Sequence, residues 1–208
     1  MNQADSEDLF LEYLVRRNFL FERNYPVGRG NLDFRVERSG SVVLCDVKEV
    51  RDPEVDSHGK IEAHEHIRSD IRKLRAKFKH RPEIPVVLVT INVSTRFFTG
   101  ATVAVALLGD IGVDFNRSNL SITTPLHHLN KGNAVLTKTH NRSISGVFVF
   151  DIVNRNHCLF TNPFTDHPVP QLFFPEVRVV DLNRDAQGDE IKELSNTMFW
   201  NAHCNNEA

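Results

Sequence analysis

Cysteine is scarce in this chain. Cys45, Cys158 and Cys204 are odd in number, far apart, and form no Cys-x-x-Cys pair. That argues against a disulfide framework or a structural zinc site and fits a reducing compartment. Long hydrophobic runs are missing as well: no apolar stretch approaches the roughly 18 residues that a membrane-spanning helix requires. The opening segment, Met1-Asn2-Gln3-Ala4-Asp5-Ser6-Glu7-Asp8, is acidic and polar. No secretory signal is therefore expected, and a cytoplasmic location is. Nor is there an excess of one charge, the net value being −2 with a pI near 6.5. A protein held to nucleic acid by bulk charge would be more basic, so any such contact must come from a local patch. Neither glycine nor proline is over-represented, and there is no internal repeat, low-complexity tract or clear linker. What is left is an ordinary globular composition, 40% hydrophobic and 25% charged over 208 residues. That is enough chain for one domain with a full core.

Along the chain, Ser6 to Asn18 reads as a helix, with Ser6 as N-cap, Glu7 and Asp8 in the first turn, and Phe10, Leu11 and Leu14 as its buried stripe. Glu7 borders that stripe, and taken alone it is a helix N-terminal charge. Phe19 to Val27 reads as a strand, ended by Pro26 and the Gly28-Arg29-Gly30 turn. Arg51 to Gly59 is a polar loop. Lys60 to His80 is the clearest helix: Ile67, Ile71, Leu74 and Phe78 make one apolar stripe. Its other faces carry Arg68, Arg72, Lys73, Arg75, Lys77 and Lys79. Such a face is ordinarily solvated surface; here it is also the local basic patch that the net charge conceals. Pro85 to Val93 is the near-continuous apolar run of a strand buried on both faces. Ala101 to Leu108 reads as a short helix and Asp114 to Arg142 as loop-rich. Ser143 to Asp151, Cys158 to Thr161 and Val177 to Leu182 are further strands, and Asp189 to Trp200 is expected to close the chain with a helix.

The informative stretch is Asn31 to Glu49. Ser39-Gly40 is a tight-turn pair between two alternating segments, which predicts a hairpin. Folding about that turn sets Arg38 opposite Ser41, Glu37 opposite Val42, Arg35 opposite Leu44, and Asp33 opposite Asp46. Asp33, Arg35 and Glu37 then share a face with Val42, Leu44, Asp46 and Lys48. Leu32, Phe34, Val36, Val43, Cys45 and Val47 form the other, apolar face. Opposed residues have Cβ atoms about 5 Å apart, and like charges so placed repel. Two carboxylates held together require a cation: Lys48 is one candidate, and a divalent metal is the better one.

In chain order these features are a helix bearing Glu7, a strand bearing Asp33, a strand bearing Asp46-Val47-Lys48, a basic helix and a buried strand. The set resembles the PD-(D/E)XK superfamily of restriction-endonuclease-like nucleases over roughly residues 6 to 93. Asn31-Leu32-Asp33-Phe34 stands where the family has Pro-Asp, and Asp46-Val47-Lys48 stands for (Asp/Glu)-x-Lys. Leu32 replaces the frequent proline, Asp46 the commoner Glu, and the family's occasional second-helix Gln or Lys has candidates in Arg68, Arg72 and Lys73. The resemblance implies an α/β (α+β) fold with an α-β-β-β-α-β core, a central mixed sheet flanked by helices, and a C-terminal β-rich extension. A single domain over residues 1–208 is expected, its core about 6–110 and its extension about 111–200. The resemblance further implies a Mg²⁺-dependent nuclease, with Mn²⁺ as a substitute, in which Asp33, Asp46, the Val47 carbonyl and Glu7 hold the metal. Lys48 would orient water or neutralise charge on the phosphate, and Arg68, Arg72, Lys73 and Arg75 would follow the nucleic-acid backbone. The partner is nucleic acid, DNA ahead of RNA, with no membrane and with a homodimer among the uses of the C-terminal half.

Two blander readings compete. Asp33, Asp46 and Lys48 could be a solvated sheet face with a cross-strand salt bridge, though the acids then oppose each other rather than the lysine. Alternatively, the fold could serve as an inactive module binding nucleic acid or a protein. The ten histidines suggest a metal, yet His64 and His66 face different ways on a helix, and His127, His128, His140 and His157 have no carboxylate at ligand spacing. His58 and Asp56 follow Lys48 closely enough to reach its site, and Arg96-Phe97-Phe98 has the cation–aromatic mix of nucleic-acid loops.

Overall fold

Seven strands join into one mixed sheet, and the charged cluster lies where its antiparallel half meets its parallel half. The computed structural model describes residues 3–50, 63–93, 100–112, 127–130, 135–136, 139–152 and 157–181. Its elements run α1 (Gln3–Arg16), β1 (Leu20–Val27), β2 (Gly30–Arg38), β3 (Ser41–Val50), α2 (Ala63–Ala76), β4 (Val86–Asn92), α3 (Gly100–Leu108), β5 (Asp110–Gly112), β6 (His127–Asn130), β7 (Gly146–Asp151), β8 (His157–Thr161) and β9 (Arg178–Asp181). The sheet order is β1-β2-β3-β4-β7-β8-β9, with β5 and β6 paired separately. β1, β2 and β3 form an antiparallel meander; β3–β4 and β4–β7 are parallel. β8 returns antiparallel to β7, and β9 lies parallel to β8. The protein is thus a mixed α/β protein.

Side-chain alternation divides the core into two layers. Leu44, Leu88, Val147 and Val149 pack with Ile67, Ile71 and Leu74 of α2 and Val103 and Leu107 of α3. Their strand neighbours Val43, Cys45, Val47, Val87, Val89 and Phe148 pack with Phe10, Tyr13 and Leu14 of α1. Successive strand residues point to opposite faces, so α1 covers one side of the sheet, and α2 and α3 cover the other. β4 is buried at all seven positions, as its apolar run predicts. Each buried Leu, Val or Phe side chain contributes roughly 1.5–3 kcal/mol through removal from water. Rings fix α1 on its face: Phe10 meets Phe34 at 5.5 Å and Phe148 at 6.1 Å, both edge-on.

Three expectations change. Ser6 is not a helix cap: α1 begins at Gln3, and the fully buried Ser6 hydroxyl donates to Glu49 Oε2 at 2.5 Å. A buried hydroxyl needs a partner, and the C-terminal end of β3 supplies it in Glu49. The helix stops where Asn18 takes φ 56° and the Phe19 N–H reaches back to Leu14 O at 3.0 Å, a left-handed C-terminal cap. The strands expected as a C-terminal β-rich extension belong to the central sheet itself, β7 pairing directly with β4. Finally, Leu32 does not share a face with Phe34. It packs with Leu44 and the α2 residues, whereas Phe34 packs with Phe10 under α1. Asn24, at φ 54°, lies between the pairs Arg23↔Phe34 and Tyr25↔Leu32. There the ribbon changes face, and the tip of the β1–β2 hairpin turns toward α2.

No described helix is long and apolar enough to cross a membrane. The loop 51–59 with Asp56 and His58, the Arg96-Phe97-Phe98 segment and the expected helix 189–200 lie outside the described residues.

Candidate functional site

The β2–β3 hairpin turns on Ser39 (φ 50°) and Gly40 (φ 78°). Two successive positive φ values match the twist of the flanking strands, and Ser-Gly tolerates them. The resulting pairs are Arg38↔Ser41, Glu37↔Val42, Arg35↔Leu44 and Phe34↔Cys45. That is the register the turn predicts. The ladder ends there, so Asp33 and Asp46 are not a regular rung. Instead Asp33 Oδ2 accepts the Val47 N–H at 2.6 Å. Where the ribbon changes face, the carboxylate stands in for the backbone acceptor that β2 no longer provides.

Asp46 is fully buried, and the two lysines divide its oxygens. Lys48 Nζ lies 3.0 Å from Asp46 Oδ2 and 3.7 Å from Asp33 Oδ2, and it donates to the Val47 carbonyl at 2.8 Å. Three oxygens, one from each of Asp33, Asp46 and Val47, thus converge on one ammonium. Lys77 Nζ donates to Asp46 Oδ1 at 2.5 Å and to the Asn31 carbonyl at 2.9 Å. Among the described residues Asp46 Oδ2 is buried without a well-aligned hydrogen bond and has Lys48 as its charge partner. A buried carboxylate oxygen in that state has room for a stronger cationic partner. On the neighbouring strand, Thr90 is in register with Lys48, and its buried hydroxyl makes no hydrogen bond among the described residues.

Burial and the facing Asp46 charge, with a smaller push from Glu7, raise the Asp33 carboxyl to about 6, against Lys48 and the Val47 N–H, which pull it down. Burial alone would lower the Lys48 ammonium, but Asp46 and Asp33 outweigh it and the net shift is upward. Lys48 is therefore a fixed positive charge at neutral pH and no proton acceptor. These are the conditions for binding a hard cation: two carboxylates, one of them desolvated and repelled by its neighbour, and a backbone carbonyl beside them.

Glu7 is close enough to act on the Asp33 charge, and it forms an ion pair with Arg23 at 3.3 Å. The basic helix divides. Arg68 does not belong to its exposed face, being 1% exposed. Its guanidinium bonds Glu65 at 2.5 Å, Val105 O at 2.8 Å and Ala106 O at 3.4 Å, tying α2 to the end of α3. The carbonyls at a helix C-terminus carry partial negative charge and attract a cation, which is why the arginine turns inward. Arg72 and Lys73 are exposed, with Lys73 against Asp70 at 3.3 Å. Arg75 is half-buried and reaches Phe78 O at 3.4 Å.

Lys77 is the site residue that the motif did not single out. It continues the basic run of the helix one residue past the end of α2 and sits just before Phe78. Nothing local sets it apart from Lys73 or Lys79; its partner depends on how α2 lies over β3. Among the described residues no three His, Cys, Asp or Glu side chains are grouped to hold a metal. That describes a site made wholly of side chains, whereas a hard ion that keeps its waters needs only one or two carboxylates. His140 is exposed beside Thr139, and His157 stacks on Phe150 at 4.1 Å. A cavity of about 700 Å³ between α1 and β7–β8 shares no residue with the lysine–carboxylate cluster.

Comparison with protein-family models, with curated proteins and with solved structures finds no match to this chain.

Proposed function

We propose that the chain is a metal-dependent nuclease of the PD-(D/E)XK type, hydrolysing phosphodiester bonds in nucleic acid, DNA ahead of RNA, on a restriction-endonuclease-like core. The carrying observation is the convergence of Asp33 Oδ2, Asp46 Oδ2 and Val47 O on a single cation, Lys48 Nζ, within 3.7 Å. The order α1-β1-β2-β3-α2-β4 supports it, as does the sequence of Glu7, Asp33 and Asp46-Val47-Lys48 along those elements.

Asp33, Asp46 and the Val47 carbonyl would hold Mg²⁺ or Mn²⁺. Bound there, the ion would supply Lewis acidity toward the phosphate and a more acidic water. The protein contributes the rest. Lys48, kept protonated by its carboxylates, provides a point charge for a phosphate oxygen. Burial of Asp46 keeps its charge unscreened by solvent. Exposed Arg72 and Lys73 and half-exposed Arg75 offer positive charge for the flanking backbone.

One observation favours the second reading, an inactive module of the same fold. Lys48 and Lys77 already balance Asp33 and Asp46 with no added ion. Asp46→Asn separates the two. For a nuclease, metal-dependent cleavage falls by about 10²–10³-fold or more, while nucleic-acid affinity in EDTA changes little. For a binding module, the unmutated chain turns over no DNA or RNA with either metal.

A further inference from the structure

Lys77 is positioned from both ends. Its backbone carbonyl accepts the Arg29 N–H at 2.8 Å, docking the β1–β2 turn on the end of α2. Gly28 makes that docking possible: it sits at φ +34°, and a Cβ there would fall 2.7 Å from Lys79 N and 3.3 Å from Lys77 O. At its other end the ammonium bridges Asn31 O and Asp46 Oδ1. The side chain of Lys77 is 26% exposed, whereas that of Asp46 is 0% exposed. The lysine can therefore move toward solvent, and the carboxylate cannot follow it.

We propose that Lys77 is a resident counter-ion that occupies Asp46 in the metal-free protein and competes with a divalent cation for that carboxylate. This rests on the metal site proposed above and adds a residue outside its motif. An ion bound to Asp46 places positive charge against the Lys77 ammonium, and like charges at such range repel. The cation therefore displaces the lysine. The released ammonium remains at the site's mouth, tethered through Asn31, where a bound phosphate gives it a new partner. Metal and polyanion then favour each other's binding through one residue, as linkage requires.

The test is calorimetric titration of the full chain with Mn²⁺ alone, without nucleic acid. A group that holds a ligand about nine-tenths of the time weakens apparent affinity about tenfold. Lys77→Met and Lys77→Gln are accordingly expected to bind Mn²⁺ about tenfold more tightly than the unmutated chain. Lys77→Arg, which keeps the charge, is expected to stay within about twofold of it. A lysine with a purely structural role would on removal leave metal affinity unchanged or lower it. Equal or weaker binding by the Met and Gln variants overturns the proposal while leaving the metal site standing. Absence of Mn²⁺ binding in the unmutated chain overturns the metal site and this inference with it. If Lys77→Met fails to fold, Lys77→Gln, which keeps a polar hydrogen-bond donor, carries the comparison.

Discussion

Asp33 is costly to the fold in its charged form, and that cost is measurable. Its carboxyl ionises at about 6 in the folded protein against 3.8 ordinarily. Between those values the folded state holds a proton that the unfolded chain has released, so stability falls as pH rises from about 4 to 6. Above pH 6 the penalty is fully present; below pH 4 it vanishes. Asp33→Asn keeps an acceptor for the Val47 N–H and removes the charge. In metal-free buffer at pH 7.5 it should stabilise the protein by about 1 kcal/mol, after discounting the shift for solvent screening. Thermal melts at pH 7.5 and pH 4 check this, the difference closing at the lower pH. Arg68 and Arg72 make the opposite pair. Arg68→Ala strips the Val105 and Ala106 carbonyls and Glu65 of a donor, which should destabilise by about 2–3 kcal/mol. Arg72→Ala should change stability by under about 0.5 kcal/mol, yet weaken nucleic-acid binding and lower its salt slope by about one. Denaturant melts and salt-dependent binding isotherms separate the two roles.

At the scale of elements, the hairpin was legible and its far end was not. Ser39-Gly40 and the alternation around it specify the register from Arg38↔Ser41 to Phe34↔Cys45, because turn chemistry and side-chain period are local. The break at Asp33 depends on Asn24 of the neighbouring strand and on an N–H of Val47 that needs an acceptor. No alternation pattern carries that information, and so Leu32 fell on the wrong face. In α2 and the turn after it, the stripe Ile67, Ile71, Leu74 and Phe78 is buried as its spacing predicts. Which flanking cation turns inward is set by α3 and β3: Arg68 goes to one and Lys77 to the other. The join between the β1–β2 turn and α2 is the element-scale weak point. Gly28→Ala puts a Cβ 2.7 Å from Lys79 N at a positive φ. It should cost about 1–3 kcal/mol in denaturant titrations and loosen Lys77 with it.

Over the whole molecule, two parallel strands and an antiparallel meander meet at β3, so one strand brings Asp46, Val47 and Lys48 between β2 and β4. That β7 continues the sheet beside β4 was not readable: an apolar six-residue strand pairs as well with one sheet edge as with another, and long-range topology decides. Net charge of −2 is equally uninformative here. What matters is its placement: two lysines against two carboxylates on one side of the sheet, and exposed Arg72 and Lys73 on the helix above. We propose that this cluster is a cation site. Anomalous diffraction from crystals grown with Mn²⁺ tests it most directly. A peak is expected about 2.0–2.3 Å from carboxylate oxygens of Asp33 and Asp46 and from Val47 O, with Lys77 moved off Asp46. Crystals without a peak there, with Lys48 and Lys77 still paired to the carboxylates, would contradict it.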